Sequence, residues 1–97
     1  MTQSETNQTH RIVRFRGRVQ GVGFRATCAS LASRYPEITG TVRNEHDGTV
    51  LLHAQGPPST VDAFLDDIDA SMRNHIEDTE TESAQPDPDL DTFRIVH

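Results

Sequence analysis

The periodicity of the sequence changes from that of a strand to that of a helix across a glycine-rich turn, and this change most constrains the fold. Residues 11–19, "RIVRFRGRV", alternate arginine with apolar side chains, which is the period of a half-buried strand. From Phe24 onward, apolar side chains recur at the spacing of one helix face, and Pro36 ends this helix at or before Tyr35. A strand followed by a helix is therefore predicted, joined by a turn within residues 17–23.

A β-hairpin is predicted around Asp47-Gly48, a residue pair common in tight turns. Residues 38–44 and 49–55 flank this pair, and both runs are rich in residues that favour strands. Because a hairpin joins antiparallel strands, the sheet that contains these two runs is expected to be antiparallel.

A second helix and two further strands complete the predicted order. The helix follows the proline pair at residues 57–58. Its apolar stripe consists of Val61, Phe64 or Leu65, Ile68 and Met72. Residues 76–85 are polar, with threonine at alternate positions, and are predicted to form an exposed edge strand. Residues 92–97 are predicted to form a short final strand.

The resulting order, β-α-β-β-α-β with a short extra strand at the C-terminus, predicts an α+β ferredoxin-like sandwich. In this fold, two helices cover one face of an antiparallel sheet. Residues 1–10 are polar and are predicted to form a flexible N-terminal tail, which leaves residues 11–97 as a single domain.

The composition disfavours several classes of partner. The formal net charge is −6, whereas binding to nucleic acid or to an anionic membrane rests on excess positive charge. An RNA-binding ferredoxin-like domain stacks bases on aromatic side chains of its sheet, and this chain has only four Phe and one Tyr. No apolar run reaches the length of a membrane span, so a cytoplasmic protein is expected.

The turn itself raises the question of whether it binds a dinucleotide, binds another anion or is an ordinary strand-to-helix turn. Its "GVGFRA", residues 21–26, fits the loose dinucleotide pattern G-x-G-x-x-G/A. The dinucleotide fold needs several parallel βαβ units, and this chain is too short and contains an antiparallel hairpin. The Walker pattern requires a lysine, and all nine basic residues are arginine.

A simpler anion cradle remains possible at this turn. Glycines at 21 and 23 let backbone N–H groups converge, and the N-terminus of a helix favours a negative charge. Arg25 lies in the first helical turn, where a cation is unfavourable against the helix dipole unless an anion offsets it. A solvent-exposed arginine that merely follows a glycine turn is the alternative interpretation.

Asn44 is a candidate second member of the site. The first two strands of a β-α-β-β-α-β fold run in the same direction, so the end of the second strand lies at the same sheet edge as the glycine turn. The Asn44 side-chain amide is both donor and acceptor and is able to orient a water beside a bound anion. The alternative is an asparagine that simply starts the hairpin turn.

Two segments carry a resemblance to a known family. Residues 17–25, "GRVQGVGFR", together with residues 40–56, "GTVRNEHDGTVLLHAQG", resemble the acylphosphatase family in order and spacing. The resemblance spans residues 11–97 and is strongest in these two motifs. It implies a ferredoxin-like hydrolase that cleaves the carboxyl–phosphate bond of small acyl phosphates to a carboxylate and inorganic phosphate. It further implies that no metal or cofactor is needed, and a monomer is the default expectation.

The resemblance also assigns roles to individual residues. It implies that Arg25 binds the phosphoryl group and that Asn44 holds the attacking water. The backbone N–H groups implied to bind phosphate are those of Gln20, Gly21, Val22, Gly23, Phe24 and Arg25. The family usually has an aromatic residue where this chain has Thr41, so a less apolar wall beside the acyl group is expected.

Alternatives to an enzyme and to this site remain at this point. Acylphosphatase-like domains occur within larger carbamoyl-transferring maturation proteins, so a module that binds an anion for a partner is a second hypothesis. His46 and His53 flank the hairpin turn, but nothing supplies the remaining ligands of a metal site. Cys28 lies on the apolar stripe of the first helix and is expected to be a buried small side chain.

Overall fold

Five strands form one sheet with two helices packed against one face, in a computed structural model that describes residues 7–97. The elements are β1 (Thr9–Gly17), α1 (Phe24–Ala32), β2 (Thr39–Asn44), β3 (Val50–Gly56), α2 (Pro58–Ser71), β4 (Ile76–Ala84) and β5 (Phe93–Ile95). The strands lie in the order β4-β1-β3-β2-β5. The predicted ferredoxin-like order is thereby confirmed.

One pairing departs from the predicted antiparallel sheet. β1, β3, β2 and β4 pair antiparallel, whereas β5 pairs parallel with β2. The physical reason is directional. β1 and β2 run in one direction, and β3 and β4 run in the opposite direction. The chain reverses after β4, so β5 runs in the same direction as β2, beside which it lies. The sheet is therefore mixed.

The core fixes the start of α1 against β1. The predicted apolar stripes of both helices are confirmed: Phe24, Cys28 and Leu31 of α1, and Val61, Phe64 and Ile68 of α2, are buried. The rings of Phe15 and Phe24 lie 5.0 Å apart, one on each side of the glycine turn. Val19, inside the turn, is only 1% exposed. Apolar contacts thus anchor both ends and the middle of the loop that precedes α1.

The first strand begins earlier than predicted. Thr9 and His10 were expected in a flexible tail, but both belong to β1, and His10 is buried at 6% exposure. The reason is tertiary: His10 lies between Gln55 of β3 and Ala84 of β4. Its Nδ1 also lies 2.8 Å from the Gln85 backbone oxygen. Residues 1–6 of the predicted tail lie outside the described residues.

A pair of histidines on the helix-free face of the sheet is expected to make stability depend on pH. The Nε2 atom of His10 lies 3.0 Å from Nδ1 of His53. Burial, and to a lesser degree His10 and Arg43, lower the pKa of His53. A lowered folded-state pKa means that the unfolded chain binds the proton more readily than the folded chain. The stability that neutral His53 contributes is therefore fully present above the unfolded pKa of about 6.5 and is lost as the pH falls below that value.

We expect the melting temperature to fall as the pH is lowered from about 8 to about 5, and the fall to be smaller in a His53→Gln variant. Thermal unfolding followed by circular dichroism at each pH measures this. His46→Gln is the matched control, because His46 is exposed in the hairpin turn and should leave the pH dependence as in the unmodified chain. Equal pH dependence in the His53 variant and the unmodified chain would contradict the assignment.

Candidate active site

The β1–α1 loop and the end of β2 meet at one edge of the sheet around a cavity of about 190 Å³. The cavity is lined by Val19, Gly21, Gly23, Phe24, Arg25, Ala26, Asn44, Ile95 and His97. Arg25 and Asn44, which the sequence placed in one site, are therefore brought together. Of the predicted loop residues, Gln20 and Val22 are outside this lining.

The loop conformation leaves backbone donors free. Gly21 and Gly23 both have φ of 79°, a left-handed conformation that a side chain would strain. Gly23 is the N-cap of α1, so the N–H groups of the first helical turn lack intrahelical acceptors. Within residues 7–97, the backbone N–H groups of residues 21–25 make no hydrogen bond to another backbone group. Such a set of unpaired donors at a helix N-terminus favours an anion.

Arg25 forms no ion pair with an Asp or Glu side chain of residues 7–97. No Asp or Glu of the described residues lines the cavity, although the whole chain carries a net charge of −6. The ion pairs between described residues involve other arginines, namely Arg11, Arg14, Arg16 and Arg43. The hydrogen-bond partner of Arg25 within residues 7–97 is His97, whose Nδ1 lies 3.2 Å from the Arg25 Nη1. The cavity is thus a local positive site in an acidic protein.

The amide oxygen of Asn44 is buried and has no hydrogen-bond partner among the residues that the structure describes. A buried acceptor without a donor costs about 1–3 kcal/mol. Such a cost is removed when a ligand or a bound water supplies the donor. Asn44 is the last residue of β2 and lines the same cavity as Arg25, so that donor would sit beside a bound anion.

Gln20 acts away from the cavity. Its Nε2 donates to the backbone oxygens of Glu45 and Thr49, at 2.8 and 2.9 Å. The predicted hairpin turn is confirmed there, because the Glu45 N–H donates to the Thr49 oxygen at 2.8 Å. Hydrogen bonds from the Thr49 hydroxyl and N–H hold the pKa of the Asp47 carboxyl below its usual range. Gln20 thereby ties the glycine loop to the turn that directly follows Asn44.

Replacing Gln20 with Glu is expected to destabilise the fold by about 1–3 kcal/mol. The new side chain would place an oxygen against two carbonyl oxygens and lose both hydrogen bonds, although each carbonyl keeps a backbone donor. Urea unfolding measures the change. Gln85→Glu introduces the same charge at an exposed position and is expected to have little effect. Equal unfolding free energies for the two variants would show that the hydrogen bonds of Gln20 to the hairpin turn do not contribute to stability.

Two residues of the site were missed from the sequence, and one expectation is corrected. Ile95 and His97 line the cavity because β5 pairs with β2, and the only sequence signal was their alternate spacing in the last strand. Thr41 was expected to form a wall beside the acyl group. It lies instead on the other face of β2 from buried Val42, opposite His53 of β3, and is outside the cavity lining.

Two other chemistries find no support in the described part of the chain. Cys28 is fully buried in the core, and burial raises the pKa of its thiol to about 12, so it is a thiol and not a nucleophile at neutral pH. Within residues 7–97, no group of three or more His, Cys, Asp or Glu side chains is placed to hold a metal ion.

Comparison with known proteins decides the family. The sequence model of the family described as Acylphosphatase matches residues 11–95. The chain belongs to the acylphosphatase family. This family membership makes it a hydrolase of acyl phosphates. An acylphosphatase from Oceanobacillus iheyensis is 39% identical over 88 residues, which cover 89% of this chain and 96% of that protein.

Solved structures agree with this family assignment. An acylphosphatase from Coxiella burnetii superposes with a TM-score of 0.81 at 28% identity, and covers 99% of this chain and 100% of its own. Full-length HypF, in its phosphate- and nucleotide-bound form, matches with a TM-score of 0.74 at 20% identity over 93% of this chain, but over only 12% of its own. The likeness to HypF is one of fold alone.

Proposed function

We propose that this acylphosphatase cleaves small acyl phosphates without a metal ion, using Arg25 and the loop N–H groups to bind the phosphoryl group and Asn44 to hold the attacking water. The observation that carries the proposal is the composition of one cavity. It combines an arginine without a carboxylate partner, a run of unpaired backbone donors and a buried amide oxygen without a partner among residues 7–97.

The reaction needs few groups. The water oxygen forms a bond to phosphorus while the bond from phosphorus to the acyl oxygen breaks, and the carboxylate departs with the electron pair. A carboxylate is a stable leaving group without protonation, so no general acid is required. Asn44 is too weak a base to accept the water proton, which passes to an oxygen of the phosphate itself. Phosphoryl transfer of this kind depends mainly on positioning and on electrostatic stabilisation.

Arg25 and the loop amides would supply the electrostatic stabilisation. The planar guanidinium matches two phosphate oxygens at once, and fixed N–H donors interact most strongly where negative charge gathers in the transition state. The backbone donors of the proposed cradle belong to residues 20–25. The cavity of about 190 Å³ is smaller than a typical pocket for drug-sized ligands, which favours a phosphoryl group with a short acyl chain.

The wider context of the enzyme is also proposed. We expect a monomeric, cytoplasmic protein with a small-molecule substrate and no nucleic-acid partner, built as one domain that extends from Thr9 through residue 97. The net charge of −6 supports the absence of nucleic-acid binding. Among the described residues, neither helix is long and apolar enough to cross a membrane.

Release of inorganic phosphate from carbamoyl phosphate or an aryl acyl phosphate, with excess EDTA present, tests this function. We expect full activity with the chelator and none on a phosphate monoester, whose alkoxide leaving group requires a general acid. Activity that disappears with EDTA and returns with magnesium would contradict the metal-free mechanism. Phosphate binding without any turnover would instead favour a binding module.

A further inference from the structure

The pairing of β5 with β2 brings the last side chain of the sequence to the site. Phe93 and Ile95 of β5 lie beside Gly40 and Val42 of β2, and the Val96 N–H donates to the Val42 oxygen at 2.9 Å. If this register is continued by two residues, residue 97 lies beside Asn44. Phe93 and Ile95 pack against the core, so the alternation of a strand directs residue 97 to the same, cavity-facing side.

His97 contacts Arg25 there. The Arg25 Nη1 lies 3.2 Å from the His97 Nδ1, and His97 lines the cavity. A guanidinium is only a donor, so Nδ1 must be the acceptor and the neutral ring must carry its proton on Nε2. No Asp or Glu of residues 7–97 lines the cavity, so this imidazole is the side chain within that range that contacts the guanidinium.

We propose that His97 is a positioning residue that presets Arg25 for phosphate. The proposal rests on the proposed role of Arg25 as the phosphoryl-binding residue. A free arginine side chain loses rotamer freedom when it binds a ligand. A hydrogen-bond acceptor within the protein already restricts the side chain before the ligand arrives, so less entropy is lost on binding. Once phosphate is bound, the ligand itself orders the guanidinium, so the contact acts on binding more than on the chemical step.

The test compares two replacements of similar size. His97→Asn keeps an acceptor oxygen close to the position of Nδ1, whereas His97→Leu has none. For His97→Leu we expect KM and the inhibition constant of inorganic phosphate to rise together by about threefold to tenfold, with kcat nearly unchanged. His97→Asn should recover most of both values. Arg94→Ala is the matched control, since Arg94 is exposed on the opposite face of the same strand.

Each outcome decides the proposal. KM and phosphate inhibition that stay at the unmodified values in His97→Leu would overturn it, as would a loss confined to kcat, or equal weakening in the Asn and Leu variants. An Arg25→Ala variant measured in parallel separates this failure from failure of the proposed function. If Arg25→Ala is inactive while His97→Leu is unchanged, Arg25 binds phosphate and His97 does not position it. If Arg25→Ala is fully active, the proposed function itself is wrong.

Discussion

Arg25→Ala is expected to lower kcat/KM for acyl-phosphate hydrolysis by about three orders of magnitude or more, because the cavity then loses its only lining guanidinium among the described residues. The substrate and the transition state both carry negative charge on the phosphoryl oxygens, so ground-state binding should weaken as well. The inhibition constant of inorganic phosphate is therefore expected to rise steeply. Steady-state kinetics with and without added phosphate measure both effects.

Two further variants sharpen the result for Arg25. Arg25→Lys keeps the charge but loses the planar pair of donors, so only part of the activity should return. Arg34→Ala removes the same charge from an exposed position just beyond α1 and is expected to leave the kinetics unchanged. Similar losses in Arg34→Ala and Arg25→Ala would show that net charge, and not a specific phosphate contact, explains the effect.

Asn44→Ala is expected to reduce kcat by about two to three orders of magnitude while inorganic phosphate still binds. The reason is that Asn44 is proposed to hold the water, whereas Arg25 and the loop amides are proposed to hold the phosphate. Isothermal titration with phosphate, beside single-turnover hydrolysis, separates binding from chemistry. Phosphate binding lost in proportion to kcat would assign Asn44 to the anion site and contradict the role given to it here.

The same variant has an expected effect on stability in the opposite direction. The buried amide oxygen of Asn44 has no partner within residues 7–97, so its removal takes away an unsatisfied acceptor and should leave the melting temperature equal or higher. Asn44→Asp, of the same shape, places a carboxylate beside the anion site and is expected to weaken phosphate binding. A marked drop in melting temperature for Asn44→Ala would indicate a structural role instead.

Local chemistry explains why so much of the fold could be predicted. The change of period at the glycine turn, the Asp47-Gly48 pair and the apolar stripes of both helices depend on residues close together in the sequence. Each signal reports a local geometry that the side chains themselves favour. The placement of Arg25 and Asn44 at one cavity also followed from the sequence, because the hairpin and the first helix set the directions of β1 and β2.

Contacts between distant residues explain what was missed. His10 is buried because Gln85 and Gln55 lie against it, and His97 reaches the cavity because β5 pairs in parallel with β2. Strand register and edge choice are settled by packing, such as Phe93 against Phe64 with ring centres 5.5 Å apart. No local pattern encodes a pairing of this kind.

The sequence by itself therefore determined the element order, which follows from local periods. It also indicated the glycine loop proposed to bind phosphate and the two residues proposed to act on the substrate, through two short motifs that resemble a known family. Only the tertiary structure decided that the final strand completes the site and that Gln20 ties the loop to the hairpin. It also showed that Thr41 faces away from the cavity. The physical reason is that these features depend on which strands become neighbours, and that choice is made by burial of the whole core.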